Sequence, residues 1–283
     1  MISVVIPAHN EEGFIGECLE HILASNWPVG SAASSEAAVQ VVVAANGCSD
    51  ETVAEAETMR PAVERKGWQL DILDLEKGSK VGALNAADAI RTHEKVVYLD
   101  ADVHVSAGLL AALAEVLKQS GPVYASGCPK IRKAESFFSE RYARFWETLP
   151  FMASGVPGCG LYAVNAAGRA RWTEFPDVTA DDIFVRYQFE PSEMHRVPHS
   201  YSWPIAEGFA NLVRVRRRQD RGLEEIRQKL PDLATRSGRT APTSRQVRNL
   251  VRRDPVGFLA YAAIALAVRT PAWQNRGHWD RFR

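Results

Sequence analysis

Hydrophobic positions change their spacing several times along the first hundred residues. Ser3–Ile6 is a short apolar run closed by Pro7, which predicts a strand. Residues 11–25 then place Phe14, Ile15, Cys18, Leu19, Ile22 and Leu23 at three- and four-residue steps, the mark of an amphipathic helix. Residues 28–38 are small and polar and read as a surface loop. Val39–Ala44 predicts a second buried strand, followed by a helix that starts at Asp50 or Thr52 and runs to about Val63. Gln69–Leu73 and Val96–Leu99 predict two more strands, with a helix over Gly82–Ile90 between them. Ser106 is a candidate cap for a helix running to Leu117.

Strands alternating with helices at this spacing imply a parallel sheet covered on both faces. Ligands bind such sheets outside the carboxyl ends of the strands. Each of those ends here carries unusual polar residues: His9-Asn10-Glu11, Asn46-Gly47-Cys48-Ser49-Asp50, Lys77-Gly78 and Asp100-Ala101-Asp102. From about residue 121 the pattern changes. A strand is expected at Val123–Gly127, an aromatic-rich helix at Glu135–Phe151, a strand at Gly158–Val164 and a short helix at Asn165–Trp172. Thr179 is placed to cap a helix that begins Asp181-Asp182, and Glu207–Leu230 reads as an arginine-rich helix. Val256–Val268 is apolar but short of the ~20 residues that a membrane span needs. It reads either as a helix packed on protein or as one lying in a membrane interface, with Arg252, Arg253 and Arg269 beside it.

Composition adds little until it is divided. The 283 residues hold 34 basic and 34 acidic side chains, and 46% are hydrophobic, as in an ordinary globular protein. The neutral total gives no support to nucleic-acid binding. Yet residues 1–100 carry 7 basic and 16 acidic residues, whereas residues 211–253 carry 13 basic and 4 acidic. The zero therefore conceals an acidic first part and a basic stretch that suits diphosphate or an anionic lipid surface. Cys18, Cys48, Cys128 and Cys159 lie far apart, without the paired spacing of a zinc site or a disulfide framework. The first residues lack a basic region and a long apolar run, so no signal peptide is expected. These features favour the cytoplasm, with the C-terminal segment a candidate for contact with the inner face of the membrane.

Asp100 and Asp102 are the first candidates for chemistry. An apolar strand delivers two carboxylates to a sheet edge, and Mg²⁺ or Mn²⁺ takes such oxygen ligands together with substrate phosphates. Asp181 and Asp182 fit a helix N-terminus on electrostatic grounds alone, and Arg186 stands one turn after Asp182. Alternatively, Asp182 is a general base. Arg214, Arg216, Arg217, Arg218 and Arg221 suit either a solvated helical face or a clamp on phosphate oxygens. Lys77-Gly78-Ser79-Lys80 precedes a helix and admits an anion, although neither a P-loop nor a G-x-G-x-x-G turn is present. Trp146, Trp172 and Trp203 are expected in the core, and His9 in a loop with no metal role.

Taken in order, these elements resemble family-2 glycosyltransferases, inverting enzymes of the GT-A fold. The resemblance rests on Pro7-Ala8-His9-Asn10-Glu11-Glu12, Asn46-Gly47-Cys48-Ser49-Asp50-Glu51-Thr52 and Lys77-Gly78-Ser79-Lys80-Val81-Gly82-Ala83-Leu84-Asn85. It extends through Leu99-Asp100-Ala101-Asp102, Gly158-Cys159-Gly160-Leu161-Tyr162-Ala163 and Thr179-Ala180-Asp181-Asp182, and covers about residues 1–222. It implies a Rossmann-like, mostly parallel sheet flanked by helices. Residues 1–120 would bind the nucleotide sugar, residues 121–222 the acceptor, and residues 223–283 would form a helical, basic extension.

The implied reaction moves a sugar from a UDP- or GDP-linked donor to a hydroxyl of a sugar, lipid-linked or small-molecule acceptor. Glycan, glycolipid or cell-surface polysaccharide synthesis is the implied setting. Pro7, Ala8, Asn10, Glu11, Asn46, Asp50, Lys77, Lys80, Asp100 and Ala101 would contact the donor nucleotide. Asp100 and Asp102 would hold Mn²⁺ or Mg²⁺, with Asp102 the stronger candidate for direct ligation. Asp182 would be the base, and Gly160, Asp181, Arg217, Arg218 and Arg221 would lie toward acceptor or diphosphate. Two departures stand out. Ala45-Asn46 replaces two acids, and Arg218-Gln219-Asp220-Arg221-Gly222 lacks the tryptophan of processive members. A catalytically silent nucleotide-sugar or glycan-binding relative is the competing expectation.

Overall fold

The computed structural model describes residues 1–27, 37–235 and 243–270. In chain order the elements are β1 (Ile2–Ala8), α1 (Ile15–Leu23), β2 (Val39–Asn46), α2 (Thr52–Thr58), α3 (Arg60–Arg65), β3 (Gln69–Leu75), α4 (Lys80–Ile90) and β4 (Val96–Leu99). There follow β5 (His104–Val105), α5 (Leu109–Val116), β6 (Tyr124–Ile131), α6 (Phe137–Glu147), α7 (Pro150–Ala153), β7 (Leu161–Val164), α8 (Ala166–Arg169) and α9 (Asp181–Arg186). The chain continues with β8 (Met194–Trp203), α10 (Gly208–Lys229), α11 (Pro231–Ala234), α12 (Ser244–Arg253) and α13 (Pro255–Val268).

One eight-stranded sheet runs in the order β3-β2-β1-β4-β7-β6-β8-β5. The first four strands are parallel, with Val4 opposite Val41 and Val97. β7 enters antiparallel to β4, pairing Leu99 with Leu161. This brings the end of β4 beside Gly160, whose carbonyl accepts from the Asp100 N–H at 2.9 Å. Successive strand residues point to opposite faces. Ile2, Val4, Ile6, Val41 and Val43 accordingly join α1 and α5 in one core, and Val5, Val42 and Ala44 join α4 and α9 in another. Burial on both faces explains why β1 and β2 are almost wholly apolar; inside them the buried Ser3 hydroxyl donates to the Gln40 side-chain oxygen at 2.8 Å. A third core, with Tyr142, Trp146, Leu212, Val213, Ala260 and Ile264, locks α6, α10 and α13 together.

Several expectations are corrected. The helix expected to Val63 divides into α2 and α3 at Met59, because Pro61 fits only the first turn of a new helix. Ser106 does not cap α5. Gly108 holds that position, and the Ser106 hydroxyl is buried with no hydrogen-bond partner among the described residues. Thr179 does not cap α9. Its hydroxyl and N–H both go to the Glu225 carboxylate on α10, at 3.0 and 2.7 Å. The Val256–Val268 stretch forms α13 and packs on α6 and α10, while Leu259 and Leu266 on its outer side stay 65% and 64% exposed. The loop expected at residues 28–38 lies largely outside the described residues.

Candidate functional site

The loops that leave β1, β2 and β3 are bound into one cradle by the Asn46 carboxamide. Its amide nitrogen donates to the carbonyls of Ala8 (2.8 Å) and Ala44 (3.3 Å), and its oxygen accepts from the Ser79 N–H (3.0 Å). The residue is 1% exposed. The Asn46 side chain, expected to contact a donor nucleotide, thus makes its hydrogen bonds inside the protein. Ala8 is also fully buried, its carbonyl taken by Asn46. Gly47 sits at φ +60°, and a Cβ there would lie 2.6 Å from the Gly78 nitrogen. Only glycine permits that approach of the two loops.

The neighbouring turn is equally ordered. Asn10, at φ +53°, accepts from the Ser49 N–H at 2.7 Å. Asp50 accepts from the Glu12 N–H at 3.2 Å and from the Thr52 N–H, also at 3.2 Å. Asn10 and Asp50 therefore brace the turn at this edge of the sheet. Lys77 is exposed at its rim.

The chemistry converges on Lys80. Ser79 caps α4 through the Gly82 N–H, which sets Lys80 in the first turn facing β4. Its ammonium lies 2.9 Å from Asp100 Oδ1 and 3.1 Å from Asp181 Oδ1. Burial opposes that charge, but Asp100 and Asp181 outweigh it, and the Lys80 pKa moves upward. Asp182 stands beside this pair at the start of α9 and accepts from the Ile183 N–H at 2.8 Å. Burial raises its pKa to about 6, the Asp181 charge adds to the rise, and Lys80 works against it. A carboxylate poised there can accept a proton near neutral pH. Arg186 does not form the expected ion pair with Asp182 among the described contacts; its Nε donates to the Val156 carbonyl at 3.2 Å.

One cavity of about 960 Å³ unites Pro7, Glu11, Lys80, Asp100, Ala101, Asp102, Gly160, Asp181, Asp182 and Arg218. Gly160 is at φ +68°, where a Cβ would strike Val103 and Trp203 at under 3 Å. Arg217 and Arg221 do not line this cavity. Arg217 is turned the other way and caps α13, donating to the carbonyls of Ala267 (3.0 Å), Val268 (3.2 Å) and Thr270. Helix ends leave such carbonyls unsatisfied, and a guanidinium fits them well. Arg217, expected toward acceptor or diphosphate, is thus engaged with α13. Arg221 is exposed.

Among the described residues, no group of three or more His, Cys, Asp or Glu side chains is gathered to hold a metal. Asp100 and Asp102 offer only hard oxygen donors at a cavity wall. That set fits Mg²⁺ or Mn²⁺, which complete their shells with substrate phosphate and water. Arg132, missed in the sequence, supports this loop by donating to the Asp102 carbonyl at 2.6 Å. No local pattern marks it, because the contact joins the ends of β4 and β6. Trp203 was expected in the core; it lies 5.2 Å from Trp146, and both also line the cavity.

Comparison with known proteins agrees with this layout. No curated protein sequence matches the chain. A mannosyltransferase from Pyrobaculum calidifontis, solved with GDP-Man and Mn²⁺, is 19% identical with a TM-score of 0.58, over 94% of this chain and 74% of that one. Glucosyl-3-phosphoglycerate synthase from Mycobacterium tuberculosis, solved with Mn²⁺, UDP and glucosyl-3-phosphoglycerate, is 18% identical with a TM-score of 0.52, over 86% and 81%. Staphylococcus aureus TarS is 17% identical with a TM-score of 0.52; the match covers 80% of this chain but only 39% of TarS. At these identities the likeness shows the GT-A fold. The family model described as glycosyl transferase family 2 matches residues 3–174, more than half of the chain. The chain belongs to glycosyl transferase family 2.

Proposed function

We propose that this protein is a metal-dependent inverting glycosyltransferase that moves a sugar from a nucleoside-diphosphate donor to an acceptor hydroxyl. The observation that carries the reading is Asp182, a carboxylate with a raised pKa in the same cavity as Asp100 and Asp102. The nucleotide lies along the cradle at the ends of β1 and β2, and Asn10 and Asp50 hold that cradle in shape. Glu11 and Pro7 form the cavity wall beside it. Asp182 takes the proton from the acceptor hydroxyl. The acceptor oxygen bonds to the anomeric carbon while the bond to the diphosphate oxygen breaks, and that oxygen leaves with the electron pair. Attack from the face opposite the leaving group inverts the anomeric centre. A divalent ion held by Asp102 and Asp100 would offset charge developing on the diphosphate. Lys80 keeps Asp100 and Asp181 in place and adds positive charge.

Two of the solved relatives hold Mn²⁺, one with GDP-Man and the other with UDP, which supports both the donor class and the metal. The deciding experiment is a screen of UDP- and GDP-sugars by nucleotide release, followed by mass spectrometry of the product. Release coupled to an acceptor mass increased by one glycosyl unit is expected. Donor binding without release by any donor or acceptor would favour the silent relative.

A further inference from the structure

We infer that the acceptor carries its hydroxyl on a large apolar body; this rests on the transferase reading above and names the acceptor class. The cavity that begins at Asp100, Asp102 and Asp182 continues without a break to a wall formed by Phe145, Trp146, Phe151, Trp203 and Phe258. On the transferase reading the donor lies at the ends of β1 and β2, which leaves this farther region to the acceptor. The cavity also holds Arg186, Arg216, Arg218, Gln219 and Asp220, but hydroxyls turned toward the five aromatic rings would lose water without gaining partners there, which is costly. An alkyl, prenyl or ring body there removes apolar surface from water on both sides, a net gain.

The helix α12 is an independent observation. It buries none of its residues, and Arg245, Arg248, Arg252 and Arg253 are exposed on it. Yet it turns Val247 and Leu250, one helical turn apart, to the cavity. A helix with no buried residue that presents two aliphatic side chains to an open space is shaped for an apolar occupant of that space. Such an acceptor has two sources, a membrane lipid or a free hydrophobic molecule. The exposed Leu259 and Leu266 of α13 and the α12 arginines make the membrane worth testing as the first source.

The test uses the full chain and a dansyl-labelled octanol as probe. Saturable fluorescence enhancement is expected, with displacement by decyl glucoside but not by glucose. Leu250→Asp and Val247→Asp should each weaken probe binding by about tenfold, the scale of placing a charge against an apolar ligand. Both variants should retain the wild-type melting temperature and the calorimetric affinity for UDP or GDP with Mn²⁺. No saturable probe binding by wild-type protein, or binding indifferent to both substitutions, overturns the inference. Nucleotide binding that survives such a result leaves the transferase reading standing, so the two fail separately. Sedimentation with phosphatidylglycerol vesicles but not phosphatidylcholine vesicles identifies a membrane source; probe binding with neither identifies a free one.

Discussion

Asp182 is the residue whose surroundings most plainly serve chemistry. Its ordinary value of 3.8 is raised to about 6 by burial and by Asp181. Below about 6 the carboxyl holds its proton and cannot accept another. The log of kcat/KM should therefore fall with a slope of about one per pH unit on the acid side, measured as nucleotide release across a pH series. The effect on stability has the opposite sense: a carboxyl with a raised pKa favours the fold while protonated, and that contribution is lost as pH rises through about 6. Asn46 makes a contrasting prediction. Asn46→Ala strands buried partners at Ala8, Ala44 and Ser79, so a loss of about 2–4 kcal/mol is expected from urea unfolding. The motif that contains Asn46 was visible in the sequence, but its role was not. A polar residue at a strand end looks the same whether it faces a ligand or ties loops together. Only the positions of Ala8 and Ser79, far away in the chain, decide it.

Among the elements, strands buried on both faces were the most legible. β4 falls on Val96–Leu99 as expected, and β1 and β2 differ only by one to two residues at their ends. The short β5 and the ten-residue β8 escaped notice. β8 is an alternation of His, Arg, Ser and Tyr with a central proline, and it forms because β6 and β5 supply its partners. The α13 stretch left two readings open, and the structure shows one face packed and another exposed. Arg217 joins α10 to the C-terminal end of α13. Arg217→Ala should raise amide exchange in the last turn of α13 by about tenfold or more, as expected for losing hydrogen bonds to a charged donor. Exchange in β1 and β2 should be unchanged, as read by hydrogen exchange with mass spectrometry.

At the scale of the whole molecule, the concealed charge division acquires meaning. The acidic first part supplies Glu11 and Asp100 to the cavity, and the basic stretch lines the same cavity with residues of α10 and α12. Among the described residues, no helix is long and apolar enough to cross a membrane. Lys80 is already paired with Asp100 and Asp181, so on the proposed reading a diphosphate beside Asp100 and Asp102 needs a further cation. Calorimetric titration with UDP and GDP should therefore show affinity that falls by about tenfold or more after EDTA treatment. Equal affinity would remove Asp102 and Asp100 as metal ligands. The central claim is that Asp182 performs the proton transfer in a cavity that binds donor independently of it. The most direct measurement sets Asp182→Asn beside the wild type, with turnover by product mass spectrometry and donor binding by calorimetry. The account predicts turnover lowered by about 100- to 10,000-fold with donor affinity nearly unchanged. Sugar transfer retained at the wild-type rate would contradict it.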